Sequence, residues 1–136
     1  MSYHMSVEDL GQYLRVSVTG ECSPENVANY LAEVHARCLE RQCASVLVEE
    51  NLQGPSLEIV DIFEIVTHAS RNAWPAIQRV AYVDINPEHT KQSMQFAEIV
   101  ATIRGVNAKV FSATADAEAW LKAEIRKTQR AQNAVS

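Results

Sequence analysis

The sequence predicts an α/β domain with a single, mostly parallel β-sheet, an antiparallel strand at its N-terminal edge, and four helices. Short β-branched runs alternate with amphipathic stretches of helical length, and capping or helix-breaking residues stand at their junctions. Single helices of this length between strands favour right-handed crossovers into a parallel sheet. The predicted order is β-β-α-β-α-β-α-β-α. The pattern leaves open whether the helices cover one face of the sheet or both.

The chain begins with two predicted strands and a helix. The segments YHMSVED and LGQYLRVSVTG are joined near Gly11 and Gln12, and the second alternates apolar and polar residues as a half-buried strand does. Ser23 followed by Pro24 predicts a helix start, because serine caps free N–H groups and proline fits the first turn. The helix extends to about Arg41. Its apolar stripe consists of Val27, Leu31, Val34 and Cys38.

The middle of the chain predicts a strand, a helix and a second strand. ASVLVEE at 44–50 is a compact β-branched run, typical of a strand covered on both faces. The loop NLQGP leads into a helix over 56–74, which ends near Trp74 because the residue before Pro75 resists helical geometry. RVAYVD at 79–84 predicts another buried strand.

The last part predicts a helix, a strand and a final helix. Asn86 is expected to cap the third helix, Pro87 to open it and Gly105 to end it. AKVFSA at 108–113 follows as a strand, and Thr114 is expected to cap the last helix. The inward residues are Phe96, Ile99, Val100 and Ile103 on the third helix, and Ala117, Trp120, Leu121 and Ile125 on the fourth.

Length and composition predict one soluble domain over 1–126, with a frayed tail over 127–136. No apolar run is long enough for a transmembrane segment, and the N-terminus lacks the pattern of a secretion signal. Cys22, Cys38 and Cys43 are odd in number and lack C-x-x-C spacing, so neither a disulfide framework nor a zinc site is indicated. A reducing, cytoplasmic location is expected.

The charge is distributed unevenly. Residues 1–70 carry 3 basic and 11 acidic side chains, a net of −8, and residues 71–136 carry 9 and 6, a net of +3. An acidic surface repels phosphates, so no nucleic-acid partner is predicted.

The helix over 56–74 has more apolar surface than one buried face uses. Its core-facing stripe is predicted to be Ile59, Ile62, Phe63, Val66, Ala69 and Ala73. Leu57, Val60 and Ile65 fall outside that stripe, among acidic residues, and such surface is usually covered. Either a neighbouring helix or loop buries them, or a partner protein or second copy does. The predicted partner-binding residues are Ser56, Leu57, Val60, Asp61, Glu64 and Ile65.

Over residues 3–125 the chain resembles the SpoIIAA-like family of the STAS superfamily. The resemblance is carried by the opening strand pair, three βα units, RVAYVD before the third helix, and the ending VFSATADAEAWL. The sharpest local match consists of Asp116, Glu118, Ala119, Trp120 and Leu121.

The resemblance implies a non-enzymatic docking or switch domain. Anti-sigma-factor antagonists of that superfamily carry a phosphorylated Ser or Thr, usually within an Asp-Ser-Ser-Gly-like segment before the second helix. The matching segment here lacks that motif and holds one serine, Ser56, behind Gly54 and Pro55. Ser56 is expected to be a helix N-cap, and the alternative is a phosphoacceptor, which a helix N-terminus would accommodate.

The carboxyl ends of the strands hold the best candidates for chemistry. Glu49, Glu50, Asp84, Asn86 and His89 collect there, and carboxylates with an imidazole can bind a divalent metal or transfer protons. The favoured interpretation is that Glu49 and Glu50 are solvated at a strand end, and that Asp84 and Asn86 form a turn. No catalytic residue, metal or cofactor is predicted.

Three hypotheses follow from the sequence. The first is a cytoplasmic, STAS-type interaction domain that binds a protein through the start and outer face of the 56–74 helix. The second is a carrier of a small apolar molecule or lipid, since SpoIIAA-like domains resemble the CRAL-TRIO lipid carriers in fold. The third is a metal-assisted enzyme that uses Glu50, Asp84 and His89.

Overall fold

A computed structural model describes residues 2–71, 73 and 75–135 of the chain. Trp74, where the second helix was predicted to end, lies outside the described residues.

The described residues form five strands and four helices in the predicted order. The strands are β1 (Tyr3–Asp9), β2 (Leu14–Glu21), β3 (Ser45–Gln53), β4 (Arg79–Asp84) and β5 (Asn107–Phe111). The helices are α1 (Pro24–Arg41), α2 (Ile59–Arg71), α3 (Lys91–Ile103) and α4 (Thr114–Val135). The α/β class is therefore confirmed.

The strands make one sheet in the order β1-β2-β3-β4-β5. β1 is antiparallel to β2, and the other neighbours are parallel, as predicted. Because each parallel crossover steps to the next strand in the same direction, right-handed connections place α1, α2 and α3 on one face. α4 packs on the opposite face, so helices cover both faces of the sheet.

Alternation along β3 sorts its residues between the two faces. Val46 and Val48 belong to the apolar cluster shared with α1, whereas Leu47 belongs to the cluster under α4. The same parity places Glu50 on the face of α1–α3 and Glu49 on the face of α4. A run of valines and leucines with both faces buried is typical of a central parallel strand.

The start of α1 is as predicted. Ser23 has extended backbone geometry, and its Oγ accepts a hydrogen bond from the backbone N–H of Asn26 at 3.1 Å. On the inner face Tyr30 is fully buried, whereas Leu31 is only half-buried. The buried stripe of α1 thus includes a tyrosine that the apolar pattern did not single out.

α2 is shorter than predicted and is rotated about its axis. Its first helical bond is donated by the N–H of Ile62 to the carbonyl of Glu58, so the helix does not begin at Ser56. Ile59 and Phe63, predicted to face the core, are each 48% exposed. Ile65, predicted to face outward, packs against the buried cluster. The periodic pattern correctly predicted that α2 has a wide apolar surface. It did not predict which side of the helix faces the core, because apolar residues occur on more than one side.

α3 begins later than predicted because Asn86 is used elsewhere. The Nδ2 of Asn86 donates to the carbonyl of Leu52 at 2.6 Å, and its Oδ1 accepts from the N–H of Glu88. Thr90 caps α3 instead, accepting from the N–H of Ser93 at 3.2 Å. Ile99 and Ile103, predicted to face inward, are exposed.

α4 continues to Val135, past the predicted end at Arg126. Ala, Lys, Gln and Arg beyond that point are good helix formers, and they sustain a helix without a continuous apolar stripe. Arg79 of β4 donates to Thr128 Oγ1 at 3.1 Å, and Lys127 pairs with Glu124 at 2.9 Å. The buried residues of α4 are the predicted Ala117, Leu121 and Ile125; Trp120 is half-buried against Phe111.

Replacing Leu121 by Ala should destabilise the domain by about 2–5 kcal/mol, because it opens a cavity between α4 and the sheet. Leu39 of α1, which is 56% exposed, provides a matched Leu→Ala control with a cost of roughly 0.5 kcal/mol or less. Urea unfolding followed by circular dichroism measures both. Equal losses for the two variants would contradict the packing of α4.

Candidate functional site

An apolar cavity of about 180 Å³ lies between the sheet and α1–α3. Aliphatic side chains from all three helices and from β3, β4 and β5 form most of its wall. They include Val34, Val48, Leu57, Ile62, Ile65, Ala69, Ala101 and Val110. The cavity also reaches the carboxyl ends of β3 and β4, where ligands of open α/β sheets tend to bind.

Strand register brings a group of polar side chains to that end of the cavity. Glu50 of β3 lies directly beside Asp84 of β4 in the parallel ladder. Tyr82 precedes Asp84 by two residues and therefore faces the same side of the sheet. Tyr30 reaches the group from α1, and His89 reaches it from the turn before α3.

Glu50 is the centre of this group and is only 4% exposed. The hydroxyls of Tyr30 and Tyr82 both donate to its Oε2. Burial raises the pKa of Glu50, and the two tyrosine hydrogen bonds oppose that rise because they stabilise the carboxylate. Burial, together with the nearby Glu50, raises the pKa of both tyrosines well above the ordinary value.

Asp84 and His89 form a second buried pair next to Glu50. The Nδ1 of His89 lies 2.6 Å from Asp84 Oδ2, and its Nε2 lies 2.9 Å from the carbonyl oxygen of Gly54. The Nδ2 of Asn86 lies 3.4 Å from the same Nε2, so the side chains of Asp84 and Asn86 and the carbonyl of Gly54 together hold the ring in place.

Ligand atoms of Glu50, Asp84 and His89 lie within 4.8 Å of one another. The donor set, two carboxylates and an imidazole, is one that divalent metals accept. In this arrangement, however, the atoms bind each other: His89 is bonded to Asp84 and Gly54, and Glu50 to two tyrosines. A metal would first have to displace these hydrogen bonds.

The predicted partner-binding residues divide into two groups. Leu57 and Ile65 pack against the core and line the cavity, so their predicted outward position is wrong. Ser56 lies beside them, and its Oγ accepts from the N–H of Thr90 at 2.9 Å, which replaces the predicted cap of α2.

The other three predicted residues lie on or near the outer side of α2. Val60 is 64% exposed, Glu64 is exposed and Asp61 is half-buried. Ile59 and Phe63, one turn apart on the same helix, are also exposed. α2 therefore has an outward apolar surface, but it consists of Ile59, Val60 and Phe63.

The interpretation of Glu49 and Glu50 as solvated strand-end residues is wrong. Glu50 is buried in the cavity wall, and Glu49 lies under the other face of the sheet. There Glu49 forms a 2.6 Å ion pair with Arg15 and accepts a 3.2 Å hydrogen bond from Thr114. The two adjacent glutamates thus have separate environments because successive strand residues point to opposite faces.

Sequence reasoning missed Tyr30 and Tyr82 as site residues. The parity of RVAYVD could have placed Tyr82 on the same face as Asp84, and helical spacing could have placed Tyr30 beside Val27 and Val34. His35 of α1 is a further polar residue of the cavity wall. Its Nε2 is buried in the cavity wall and has no hydrogen-bond partner among the described residues.

Comparisons with protein-family models and with curated proteins give no match for this chain. Across residues 2–71, 73 and 75–135, none of the helices combines the length and apolar character needed to cross a membrane.

The raised pKa of Glu50 predicts a pH-dependent contribution to stability. A carboxyl whose pKa is higher in the folded state binds protons more tightly when folded, so its contribution falls as pH rises past the ordinary value of 4.5. The free energy of unfolding of wild type, minus that of Glu50→Gln, should therefore decrease from pH 4 upwards. Denaturant titrations across this range measure the difference, and a constant or increasing difference would contradict the account.

Proposed function

We propose that this protein binds a small, mainly apolar molecule in the cavity between the sheet and α1–α3. The observation that carries the proposal is the combination of about 180 Å³ of space with a wall that is mostly apolar. Binding pockets for small molecules are concave, mostly apolar and equipped with a few polar groups that orient the ligand.

The cavity volume limits the size of the ligand. An engineered, apolar cavity of about 150 Å³ takes up benzene, so a cavity of this size suits roughly one substituted ring or a short branched chain. A complete membrane phospholipid is far too large for it. The carrier hypothesis allowed either a lipid or a small apolar molecule as the ligand, and the volume of the cavity favours the small molecule.

The polar end of the cavity supports a binding function because its buried polar groups stabilise the fold less than apolar groups would. A buried carboxylate such as that of Glu50 contributes less to stability than an apolar side chain of similar volume would. Groups with shifted pKa values cluster at functional sites, and Glu50, Tyr30 and Tyr82 form such a cluster inside a cavity. The unpartnered Nε2 of His35 adds a polar atom that a ligand would satisfy.

The element order and sheet topology are compatible with a STAS-type fold, and the proposal extends to a SpoIIAA-like domain used for ligand binding in the cytoplasm. A reducing compartment would keep the free thiols of Cys22, Cys38 and Cys43 reduced.

Filling the cavity should abolish binding without unfolding the protein. Ala69→Leu and Ala101→Leu each add volume to the wall from a different helix. We expect either variant to weaken binding of propylbenzene at least about tenfold, because the added side chain occupies the ligand's space. Isothermal titration calorimetry measures the affinity, and thermal unfolding verifies the fold.

Ala119→Leu is the matched control, because Ala119 is exposed on α4 on the other side of the sheet. It should bind propylbenzene as wild type does. Wild-type protein that shows neither uptake of propylbenzene nor a co-purified ligand by native mass spectrometry would contradict the proposed function.

A second candidate function is docking of a partner protein on the outer side of α2. The observation that favours it is the exposed apolar group of Ile59, Val60 and Phe63, with Glu64 on the same helix. Apolar residues ringed by acids suit a partner with an apolar centre and a basic rim.

Replacing Val60 and Phe63 together by Lys should remove that docking and leave the fold unchanged, since both side chains are exposed. The measurement is co-purification from the source cells at low and high salt, with Leu39→Lys as an equally exposed control. A partner retained by the double variant, or lost equally in both variants, would contradict docking on α2.

A further inference from the structure

The polar end of the cavity determines which head group the ligand carries, provided that the cavity is a binding site as proposed above. We infer that the ligand is a ring-sized apolar molecule with a hydrogen-bond-donating, non-anionic head, an amine or a hydroxyl, which it places at Glu50.

The tyrosine hydroxyls and the His89 ring nitrogens at this end of the cavity already have partners within the protein. The hydroxyl protons of Tyr30 and Tyr82 are both directed to Glu50. The two ring nitrogens of His89 lie within hydrogen-bond distance of Asp84 and of the carbonyl of Gly54. What these residues still offer to a ligand is acceptor capacity, in the form of carboxylate oxygens and phenol lone pairs.

The charged residues of the cavity wall also favour a hydrogen-bond-donating head over an anionic head. Three carboxylates, those of Glu50, Asp84 and Glu98, line the cavity, together with two imidazoles, those of His35 and His89. Among the described residues of the wall there is no lysine or arginine. A carboxylate or phosphate head would meet like charge in a poorly solvated site, and a bidentate basic clamp for it is lacking there.

The hydroxyls of Ser56 and Ser93 also line the cavity. Ser56 accepts from the N–H of Thr90, and Ser93 accepts from the Thr90 hydroxyl at 2.8 Å. Each serine can still turn its own proton to a ligand, so these two residues adapt to either kind of head. The carboxylates therefore determine that the cavity prefers a hydrogen-bond-donating, non-anionic head to an anionic head.

A series of probes with one apolar body and different heads tests the inference on the wild-type protein. The probes are 2-phenylethylamine, 2-phenylethanol, propylbenzene and phenylacetate, titrated by calorimetry in buffer that contains EDTA to exclude metal effects. We expect the amine and the alcohol to bind about tenfold more tightly than propylbenzene, as one hydrogen bond to a charged acceptor allows. Phenylacetate should bind most weakly.

The variant Glu50→Gln tests whether the carboxylate of Glu50 is the group that binds the amine head. The variant keeps the size of the side chain and removes its charge, so the amine should lose about tenfold in affinity while propylbenzene binds as before. Glu49→Gln is the matched control, because it removes the adjacent carboxylate on the opposite face of the sheet and should leave all four affinities unchanged. The wild-type series decides the question even if Glu50→Gln does not fold.

The possible results separate the two proposals. If propylbenzene binds as tightly as the amine and the alcohol, or if phenylacetate binds as tightly as they do, the head-group inference is overturned and the cavity remains a binding site. If none of the four probes binds, the proposed function itself fails and this inference fails with it.

Discussion

The burial of one carboxylate, that of Glu50, organises the interior of this domain. Glu50 lies on β3 and accepts from a tyrosine of β4 and a tyrosine of α1, so its hydrogen bonds join three elements at the carboxyl end of the sheet. Asp84 is its neighbour in the ladder, and the Nδ1 of His89 lies 2.6 Å from Asp84 Oδ2. An apolar side chain at position 50 would simplify the core, but it would remove the acceptor on which both tyrosines depend.

The same arrangement gives the cavity two chemically different parts. Away from Glu50, aliphatic residues of three helices and three strands leave space that favours an apolar molecule. Near Glu50, the tyrosine hydroxyls already donate within the protein, and carboxylate oxygens remain as acceptors. A site of this kind holds an apolar body by burial and orients it by one polar contact. The exposed Ile59, Val60 and Phe63 lie on α2, which also forms part of the cavity wall, so a partner on α2 would contact the same helix from outside.

Local signals in the sequence were sufficient for the order of elements. Alternation in LRVSVTG, the Ser23-Pro24 helix start and the valine-rich run before Glu49 each depend on residues close in the chain, and each is confirmed. The direction of α2 was not predictable in this way, because apolar residues on several sides leave its rotation to tertiary packing. Asn86 and Ser56 both look like helix caps, but Asn86 bonds the N–H of Glu88 and the distant carbonyl of Leu52 ahead of α3, and Ser56 bonds the distant N–H of Thr90.

The candidate site was predicted in part. Glu50, Asp84 and His89 were identified because parallel strands end at one edge of a sheet, and they do lie together. The burial of Glu50 was not predicted. Two consecutive glutamates at the end of a strand resemble a solvated strand end unless the two faces of the sheet are considered separately. Tyr30 and Tyr82 were overlooked for the same reason: their role depends on which face of α1 and β4 they occupy.

Methyl NMR during a titration with 2-phenylethanol tests the central claim most directly. If the cavity is the binding site, the methyl signals of Leu57 and Ile65 in its wall will shift and saturate, whereas those of Leu39 and Ile103 on the outer surface will not move. Shifts that do not saturate, or that affect the outer methyl groups while Leu57 and Ile65 stay unchanged, would contradict the account.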